Sequence, residues 1–326
     1  MAADATITEL LRQQHELSTY FHVDLSRISR WRVGGLAEAI VEPRSITELT
    51  DVVGLLADRP EPVLVVGDMS NVLFDSRGFD GVIVRASRAL AAVRRDGNVV
   101  VAEAGIGIPR LARTTADMGL SGLEHTVGIP GTLGGLTVMN GGSQRKGVGT
   151  VVRRVRCIGL DGSDYNLTQE DCAFAYRSST LQSMSAVVVE VELNLDAANP
   201  IDVHAEMDAV VESRRSRFPE DLPNCGSTFL SDPAMYASVG PPGRAIEDAG
   251  LKGYTVGGAQ VSTQHANFVV NRGGARSDDV LAVIAHVRET VHRRTGFDLK
   301  CEVRFVSRDG KLVPAHEAAG ARDALA

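Results

Sequence analysis

This 326-residue sequence lacks the patterns that mark several large classes of protein. No apolar run is long enough to span a membrane. The N-terminal stretch MAADATITELLRQQHEL has no basic region followed by an apolar core, so no secretion signal is predicted. Basic residues form no block, and the net charge is -7, with 34 Lys and Arg against 41 Asp and Glu. We therefore expect neither a membrane nor a nucleic-acid partner.

Cysteine is scarce, and its spacing excludes further classes. Cys157, Cys172, Cys225 and Cys301 are the only cysteines, and no two of them form a C-x-x-C pair. Zinc sites and redox motifs usually need such pairs, so no metal is expected. Reduced thiols in a cytoplasmic protein are the simplest interpretation.

Glycine, by contrast, is concentrated in one place. The stretch GLEHTVGIPGTLGGLTVMNGG, residues 122–142, is apolar enough to be buried. Glycine costs backbone entropy, so it is most useful where φ is positive or where a group such as a phosphate approaches the main chain closely. The glycines are spaced neither as G-x-G-x-x-G nor as in a P-loop. From the residues alone, a phosphate-binding loop and a tightly packed turn both remain open.

Hydrophobic periodicity predicts a chain of mixed helices and strands. Helices are expected at residues 45–59, 202–217 and 278–294. Ser45, with Glu48 three positions later, has the pattern of an N-cap, and Ser277 has a similar place before the third helix. The alternating segment VVRRVRCIGLDGSDYNLT predicts an antiparallel hairpin.

Six stretches with recognisable patterns follow one another along the chain. They are WRVGGLAEAIVEPRSITEL, GLSGLEHTVGIPGTLGGLTVMNGG, FAYRSSTL, CGSTF, IEDAGLKGYTVGGAQVSTQHANFVVN and CEVRFVS. Together, over about residues 31–307, they resemble the shorter type of the UDP-N-acetylenolpyruvoylglucosamine reductase family. The resemblance implies an α+β fold, with a two-lobed FAD-binding domain of the vanillyl-alcohol oxidase type and a smaller α+β substrate domain.

The resemblance also implies a domain organisation. Composition changes near residues 199–200, where we place the boundary between the two domains. The tail, PAHEAAGARDALA, is expected to be loosely ordered. The predicted segments are an N-terminal arm at 1–20, the FAD-binding domain at 21–200, the substrate-binding domain at 201–307 and a C-terminal tail at 308–326.

The activity implied by the resemblance is an NADPH-dependent reduction. FAD, bound without a covalent link, would pass a hydride from NADPH to the enolpyruvyl ether of UDP-N-acetylglucosamine. The product would be UDP-N-acetylmuramate, a precursor of peptidoglycan. The expected partner is thus a small-molecule substrate, and the expected protein is a cytoplasmic monomer.

Three residues match the catalytic motifs of the family. Ser227 in CGSTF would donate a proton, and Arg177 in YRSS would bind the substrate carboxylate through its planar fork of donors. Glu302 in CEVRF would act near that carboxylate as a second acid or polarising group, which requires it to be protonated or hydrogen-bonded. Without the resemblance, the simpler interpretation is a turn or cap for Ser227, a structural ion pair for Arg177 and a solvated strand position for Glu302.

The resemblance assigns further residues to binding. Two glycine-rich loops would wrap the FAD pyrophosphate, contributing Gly67, Ser70, Asn71, Gly128, Ile129, Gly131, Thr132, Gly134 and Gly135. Substrate contacts are expected from Tyr176, Lys252, Gln260, His265 and Asn267.

Two departures from the family pattern keep other functions open. Asp68 stands where the family has glycine near a phosphate, and Leu230 stands where it has a lysine that helps hold the nucleotide. Loss of that cation removes a charge-assisted contact with a diphosphate. A diverged FAD oxidoreductase acting on another unsaturated acid is therefore the alternative, and a flavin-binding protein without turnover is a third hypothesis.

Cys225 and Cys301 flank the predicted catalytic residues and allow two interpretations. In the first interpretation, both are small buried residues that behave as apolar side chains, as free cysteines often do. Alternatively, at least one thiol points into the pocket and alters its shape for a different substrate. A disulfide is expected in neither case.

Overall fold

The computed structural model describes residues 6–57, 59–86 and 88–323. Within these ranges the chain forms two compact units, each assembled from separate segments. The first unit comprises the described parts of Met1–Tyr20, Ala39–Asp68 and Val82–Arg214. The second comprises those of Phe21–Glu38, Met69–Gly81 and Arg215–Ala326.

Ten α-helices lie in the described residues. They are α1 (Ile7–Gln13), α2 (Leu25–Ile28), α3 (Ile46–Leu56), α4 (Ile108–Asp117), α5 (Leu133–Val138), α6 (Pro200–Arg217), α7 (Pro233–Tyr236), α8 (Pro242–Asp248), α9 (Ser277–Thr295) and α10 (Ala315–Asp323). None of these helices has both the length and the apolar character that a membrane crossing requires.

The same residues form seventeen β-strands. They are β1 (Thr19–Asp24), β2 (Leu36–Val41), β3 (Val63–Val66), β4 (Val72–Phe74), β5 (Phe79–Arg85), β6 (Val93–Asp96), β7 (Val99–Glu103), β8 (Leu120–Ser121), β9 (Val152–Gly159), β10 (Asp164–Thr168), β11 (Ala186–Asn194), β12 (Asp196–Ala197), β13 (Thr255–Val256), β14 (Ala259–Val261), β15 (Val269–Asn271), β16 (Arg304–Val306) and β17 (Leu312–Pro314).

The first unit contains a five-stranded antiparallel sheet with the order β10-β9-β11-β7-β6. The predicted hairpin is confirmed as β9 and β10, which pair from Asp164 opposite Ile158 to Thr168 opposite Arg154. One face of the sheet contributes to a core that also takes in the buried side chains of α4, α5 and α6. Near it, β3 and β5 pair in parallel, with Val63 opposite Val82.

The second unit has its own core around α9, whose buried face includes Val280, Ile284 and Val291. Two three-stranded sheets belong to this unit, with the orders β13-β14-β15 and β17-β16-β4. Its largest fully buried side chain is Trp31, whose indole N–H donates to the carbonyl of Val269 at 2.9 Å. The same core includes Cys225, Phe229, Cys301 and Val303, which lie close to Ser227 and Glu302 in sequence.

The three helices predicted from hydrophobic periodicity are present as α3, α6 and α9. The side chain of Ser45 caps α3 as predicted, accepting the N–H of Glu48 at 3.0 Å. The predicted N-cap at Ser277 is wrong by one residue, because α9 begins at Ser277 and its N-cap is Arg276. The hydroxyl of Ser277 instead accepts the main-chain N–H of Ser76 at 3.0 Å.

The division into units differs from a single boundary near residue 200. The strands β1, β2 and β5 each begin in one unit and end in the other, so short N-terminal segments join the second unit. The expectation of a loosely ordered tail is wrong for its described part. Residues 312–314 pair with β16, and α10 follows directly, with Ala315 and Ala319 buried in the core of the second unit.

Candidate active site

Two glycine-rich loops of the first unit lie against each other. A Cβ built on Gly67, which follows β3, would lie 2.2 Å from Oγ1 of Thr132, and that oxygen caps α5. Gly134 is similarly confined. Its N–H donates to the carbonyl of Ala104 at 2.8 Å, and a Cβ on it would lie 3.0 Å from that of Ala104. Side chains at these glycines would push the loops apart.

The close approach leaves main-chain donors available. Among the described residues, the N–H groups of Gly67, Asp68, Gly128, Gly131 and Thr132 donate to no protein acceptor. N–H groups of this kind bind the oxygen atoms of phosphates. The loops therefore fit the pyrophosphate of the FAD that the sequence predicts.

Arg214, a cation beside this loop, is not among the residues that the sequence predicts for the site. Its Cδ and Nε lie 2.2 and 2.4 Å from the position of a Cβ on Gly128. The side chain of Arg214 therefore passes directly over Gly128, and any side chain at that position would collide with it. The only sequence signal was a group of arginines at the end of α6, SRRSR, which reads as an ordinary helix terminus. Its charge adds to the anion-binding character of the loop.

Asp68, the departure from the family pattern, has a cation nearby. Its carboxylate lies 3.9 Å from Nη2 of Arg85, whose Nη1 donates to Glu42 at 3.0 Å. The charge of Asp68 is thus partly compensated by Arg85, and this lowers its repulsion of a bound anion.

Arg177 belongs to the first unit, in a turn where Ala175 and Ser178 form an antiparallel bridge. Its guanidinium donates to the carbonyls of Gly142, at 2.8 Å, and Asn140, at 3.4 Å. The backbone of Arg177 has φ 52°, which is unfavourable for a residue other than glycine. Strain of this kind often accompanies functional positions, and here it is combined with a side chain directed toward the end of the glycine-rich stretch.

Ser227 and Glu302 are brought together in the second unit by a short antiparallel pairing. The N–H of Glu302 donates to the carbonyl of Thr228 at 2.9 Å, and that of Leu230 donates to Lys300 at 2.8 Å. Phe229 lies opposite Cys301 between these bonds. The pairing sets Glu302 opposite Thr228, so Ser227 is the next residue along. Both catalytic candidates are partly exposed.

Asn71 makes further hydrogen bonds to the segment that carries Glu302. Its Nδ2 donates to the carbonyl of Glu302 at 3.1 Å, and its own carbonyl accepts the N–H of Arg304 at 3.1 Å. Its side-chain amide is thus used within the second unit, whereas the sequence assigned it to FAD. The neighbouring Ser70 is partly buried.

Asn267 has both of its amide atoms engaged by one residue. Its Oδ1 accepts the N–H of Phe229 at 3.0 Å, and its Nδ2 donates to the carbonyl of Phe229 at 2.9 Å. Its main-chain carbonyl accepts the N–H of Thr228 at 2.8 Å. The side chain is only 5% exposed. In this structure it holds the segment that carries Ser227, and it is not placed as an open substrate contact.

The other predicted substrate contacts are distributed over both units. Lys252 is ion-paired with Glu247 at 2.7 Å, and Nε2 of Gln260 donates to the hydroxyl of Thr255 at 2.9 Å within the same hairpin. Tyr176, in the first unit, is 55% exposed, and its ring centroid lies 5.4 Å from Cζ of Arg177.

His265 is half-buried in an aromatic cluster. Its ring makes edge contacts with Phe218 and Phe268, at centroid distances of 5.3 and 5.0 Å. Burial, together with the nearby charge of Lys252, lowers the pKa of His265 below its ordinary value. Its Nδ1 accepts the N–H of Asn267 at 3.2 Å, which suits a neutral ring carrying its proton on Nε2.

The two cysteines beside the catalytic candidates are buried, at 5% exposure for Cys225 and 4% for Cys301. Both belong to the core of the second unit, and Sγ of Cys225 lies 3.6 Å from the carbonyl of Val72. Burial raises the pKa of each thiol to about 12. These observations favour the interpretation of both as core residues, so an altered substrate would have to depend on Leu230.

Replacing Gly67 by alanine should weaken FAD binding, because its Cβ would overlap Oγ1 of the buried Thr132. Overpacking of this kind costs about 1–3 kcal/mol, and the displaced loop should lower flavin affinity in a fluorescence titration. Gly54→Ala is the control, since Gly54 is exposed in α3 with nothing within 4 Å of its Cβ position. It should raise stability by about 0.5–1 kcal/mol and leave the affinity unchanged. Equal flavin affinity in both variants would contradict this account.

Asn267→Leu keeps the shape of the side chain but leaves the N–H and C=O of Phe229 unpaired. Each such buried group costs about 1–3 kcal/mol, so the variant should lose stability in denaturant unfolding and should also lose kcat as Ser227 shifts. Gln264→Leu, an exposed amide three residues earlier, should change stability by less than about 0.5 kcal/mol. A higher KM with unchanged kcat and stability would instead indicate a direct substrate contact.

The chain resembles known proteins in both sequence and structure. Residues 37–167 match the model described as "FAD binding domain", and residues 218–306 match that of "UDP-N-acetylenolpyruvoylglucosamine reductase, C-terminal domain". The sequence is 48% identical to UDP-N-acetylenolpyruvoylglucosamine reductase 1 of Corynebacterium glutamicum, over 95% of this chain and 92% of that protein. It is 37% identical to the reductase of Heliobacterium modesticaldum, over 89% and 91%.

The structural comparison agrees. The crystal structure of the UDP-N-acetylenolpyruvylglucosamine reductase of Thermus caldophilus has a TM-score of 0.74 with this chain. It is 28% identical and covers 89% of this chain and 98% of its own. The predicted α+β fold and the predicted FAD-binding domain are confirmed by these matches. The chain therefore belongs to the UDP-N-acetylenolpyruvoylglucosamine reductase family.

Proposed function

We propose that this protein is an FAD-dependent reductase that uses NADPH to convert UDP-N-acetylglucosamine enolpyruvate to UDP-N-acetylmuramate. Membership of the family supports this activity. Within the structure, the observation that carries it is the pairing of the Ser227 and Glu302 segments through the bond from Glu302 N–H to the Thr228 carbonyl. The pairing joins the segment that carries the Ser227 hydroxyl to the segment that carries the Glu302 carboxyl group, which a site that only stored flavin would not need.

FAD would be held by the two loops of the first unit. The free N–H groups of Gly67, Gly128, Gly131 and Thr132 suit a pyrophosphate, and Arg214 adds a positive charge beside them. We propose that the link is not covalent, so denaturation should release the flavin. When bound, FAD supplies the capacity to accept a hydride from NADPH and to deliver one to a carbon–carbon double bond.

The role of Ser227 follows from the charge that the reaction creates. Hydride addition to C3 of the enolpyruvyl group leaves negative charge on C2, delocalised into the adjacent carboxylate. We propose that the Ser227 hydroxyl gives its proton to C2, which completes the reduction of the double bond. Asn267 keeps the neighbouring backbone in place through its two bonds to Phe229.

We propose that Arg177 and Glu302 each interact with the carboxylate of the substrate. The fork of donors on Arg177 suits two carboxylate oxygens and would stabilise the charge that spreads onto them. Two of its N–H groups are already directed by the carbonyls of Gly142 and Asn140, which restrict the orientation of the guanidinium. Glu302 in its protonated form would donate a hydrogen bond to the same developing charge.

The identity of the substrate is tested most directly by NADPH oxidation under anaerobic conditions. The purified FAD-loaded protein should consume NADPH rapidly only when the UDP-linked enolpyruvyl sugar is present, and it should form one UDP-N-acetylmuramate per NADPH. The control is the same enzyme with the saturated product in place of the substrate. Rapid flavin reduction by NADPH without reoxidation by the UDP sugar would contradict this substrate. That outcome would favour a different unsaturated acid, as Leu230 allows.

Ser227→Ala should separate the two half-reactions. Reduction of FAD by NADPH needs no proton from Ser227, so it should proceed at the rate of the unmodified enzyme. Reoxidation by the enolpyruvyl substrate should slow by roughly 10²–10⁴-fold, the usual size of a general-acid contribution. Stopped-flow absorbance of the flavin measures both steps. Unchanged reoxidation would remove Ser227 from the mechanism.

A further inference from the structure

The helix α10 is attached to the segment that carries Glu302, which immediately precedes β16. Ala315 and Ala319 are buried in the core of the second unit, and the N–H of Ala315 donates to the carbonyl of Val303 at 2.9 Å. The helix therefore begins next to the segment that carries Glu302, and this bond fixes its first turn there.

His316, in that first turn, makes a bond to the strand itself. Its Nδ1 accepts the N–H of Cys301 at 3.0 Å, one peptide before Glu302. From α9, Nε of Arg288 donates to the carbonyl of Leu299 at 2.7 Å. Two helices thus bond to the backbone on either side of Glu302, at Leu299, Cys301 and Val303. The N–H of Glu302 itself bonds to the carbonyl of Thr228.

We propose that His316 is a positioning residue for Glu302, whose neutral imidazole fixes the Cys301–Glu302 peptide and whose protonation releases it. An imidazolium has no acceptor at Nδ1, so the N–H of Cys301 would then face another N–H. The proposal rests on the proposed role of Glu302 in the second half-reaction. His316 itself touches neither substrate nor flavin in this account.

The surroundings of His316 favour the neutral ring. Burial lowers the pKa of His316, as do the positive charges of Arg288 on α9 and of Lys300, whereas Glu317 on α10 raises it. The net pKa lies below the ordinary value of 6.5. The Cys301 thiol adds no charge, because burial raises its pKa to about 12.

The direction of the pH effect follows from the lowered pKa of His316. Above pH 6.5 the ring is neutral in both folded and unfolded chains, and the bond to Cys301 is fully present. As the pH falls through the lower folded-state pKa, His316 gains its proton, and the bond and its contribution to stability are lost. We expect reoxidation of the flavin by substrate to decline over the same range.

The test uses two variants of His316 in the full-length, FAD-loaded enzyme. His316→Phe keeps the ring but removes the acceptor, and His316→Asn keeps an acceptor oxygen near the position of Nδ1 but cannot titrate. His292→Asn on α9 is the control, because it removes an exposed histidine of the same unit, one ion-paired with Asp298 at 3.0 Å. FAD content and denaturant midpoint are measured first, so that a misfolded variant is recognised.

At pH 8 His316→Phe should slow reoxidation by roughly 10- to 100-fold, the size expected from a small displacement of a catalytic group. Its flavin should still be reduced by NADPH at the normal rate. His316→Asn should reoxidise nearly normally at pH 8 and should lack the acid-side decline of the unmodified enzyme. The His292→Asn control should retain both the rate and the decline.

Several outcomes would overturn the proposal. Normal reoxidation in a folded His316→Phe variant would show that the bond does not matter for Glu302. Equal slowing of both half-reactions would indicate a general structural role. An unchanged acid-side decline in His316→Asn would assign that decline to another group. If His316→Phe does not fold, the pH profile of His316→Asn decides alone. Failure of the proposed function is distinguishable, because the unmodified enzyme would then show no reoxidation by the UDP sugar at any pH.

Discussion

The chemistry proposed for this protein depends on one short backbone pairing. Residues 228–230 and 300–302 are distant in sequence, and two main-chain bonds, from Glu302 to Thr228 and from Leu230 to Lys300, bring them together. Because these bonds use only backbone atoms, they tolerate changes of the side chains between them. Leu230, which departs from the family pattern, takes part in the pairing through its main-chain N–H.

Side-chain amides then lock the pairing in place. Asn267 pairs with both the N–H and the C=O of Phe229. The side-chain amide of Asn71 donates to the carbonyl of Glu302, and its main-chain carbonyl accepts the N–H of Arg304. An asparagine suits this task because one planar group carries a donor and an acceptor, so it can replace a missing strand partner. The sequence motifs had suggested ligand contacts for both residues. Their hydrogen bonds instead support the backbone next to the residues that we propose to be catalytic.

The glycine-rich loops follow a different constraint, that of close approach. Gly67 and Gly134 are confined by Thr132 and Ala104, and Gly128 is crossed by the stem of Arg214. The entropic cost of glycine is accepted because main-chain donors can reach a phosphate only where side chains are absent. The stretch is a tightly packed turn, and it also has the main-chain donors that an anion-binding loop needs, so the two interpretations that the sequence left open are compatible.

The sequence by itself determined the local elements, the family and the cofactor class. Helices α3, α6 and α9 and the β9–β10 hairpin follow from periodicity and turn residues that act within a few positions. Six motifs in the order of the family identified it, although each motif alone is a weak signal. The predictions that failed concern positions whose structure depends on residues that are distant in sequence. Ser277 bonds to Ser76 rather than capping its own helix, and the alanines of α10 have no strong hydrophobic pattern, so their burial depends on the core they meet. The contact between His316 and Cys301 likewise required the tertiary structure, because burial and hydrogen-bond geometry between separate segments are not properties of a local sequence.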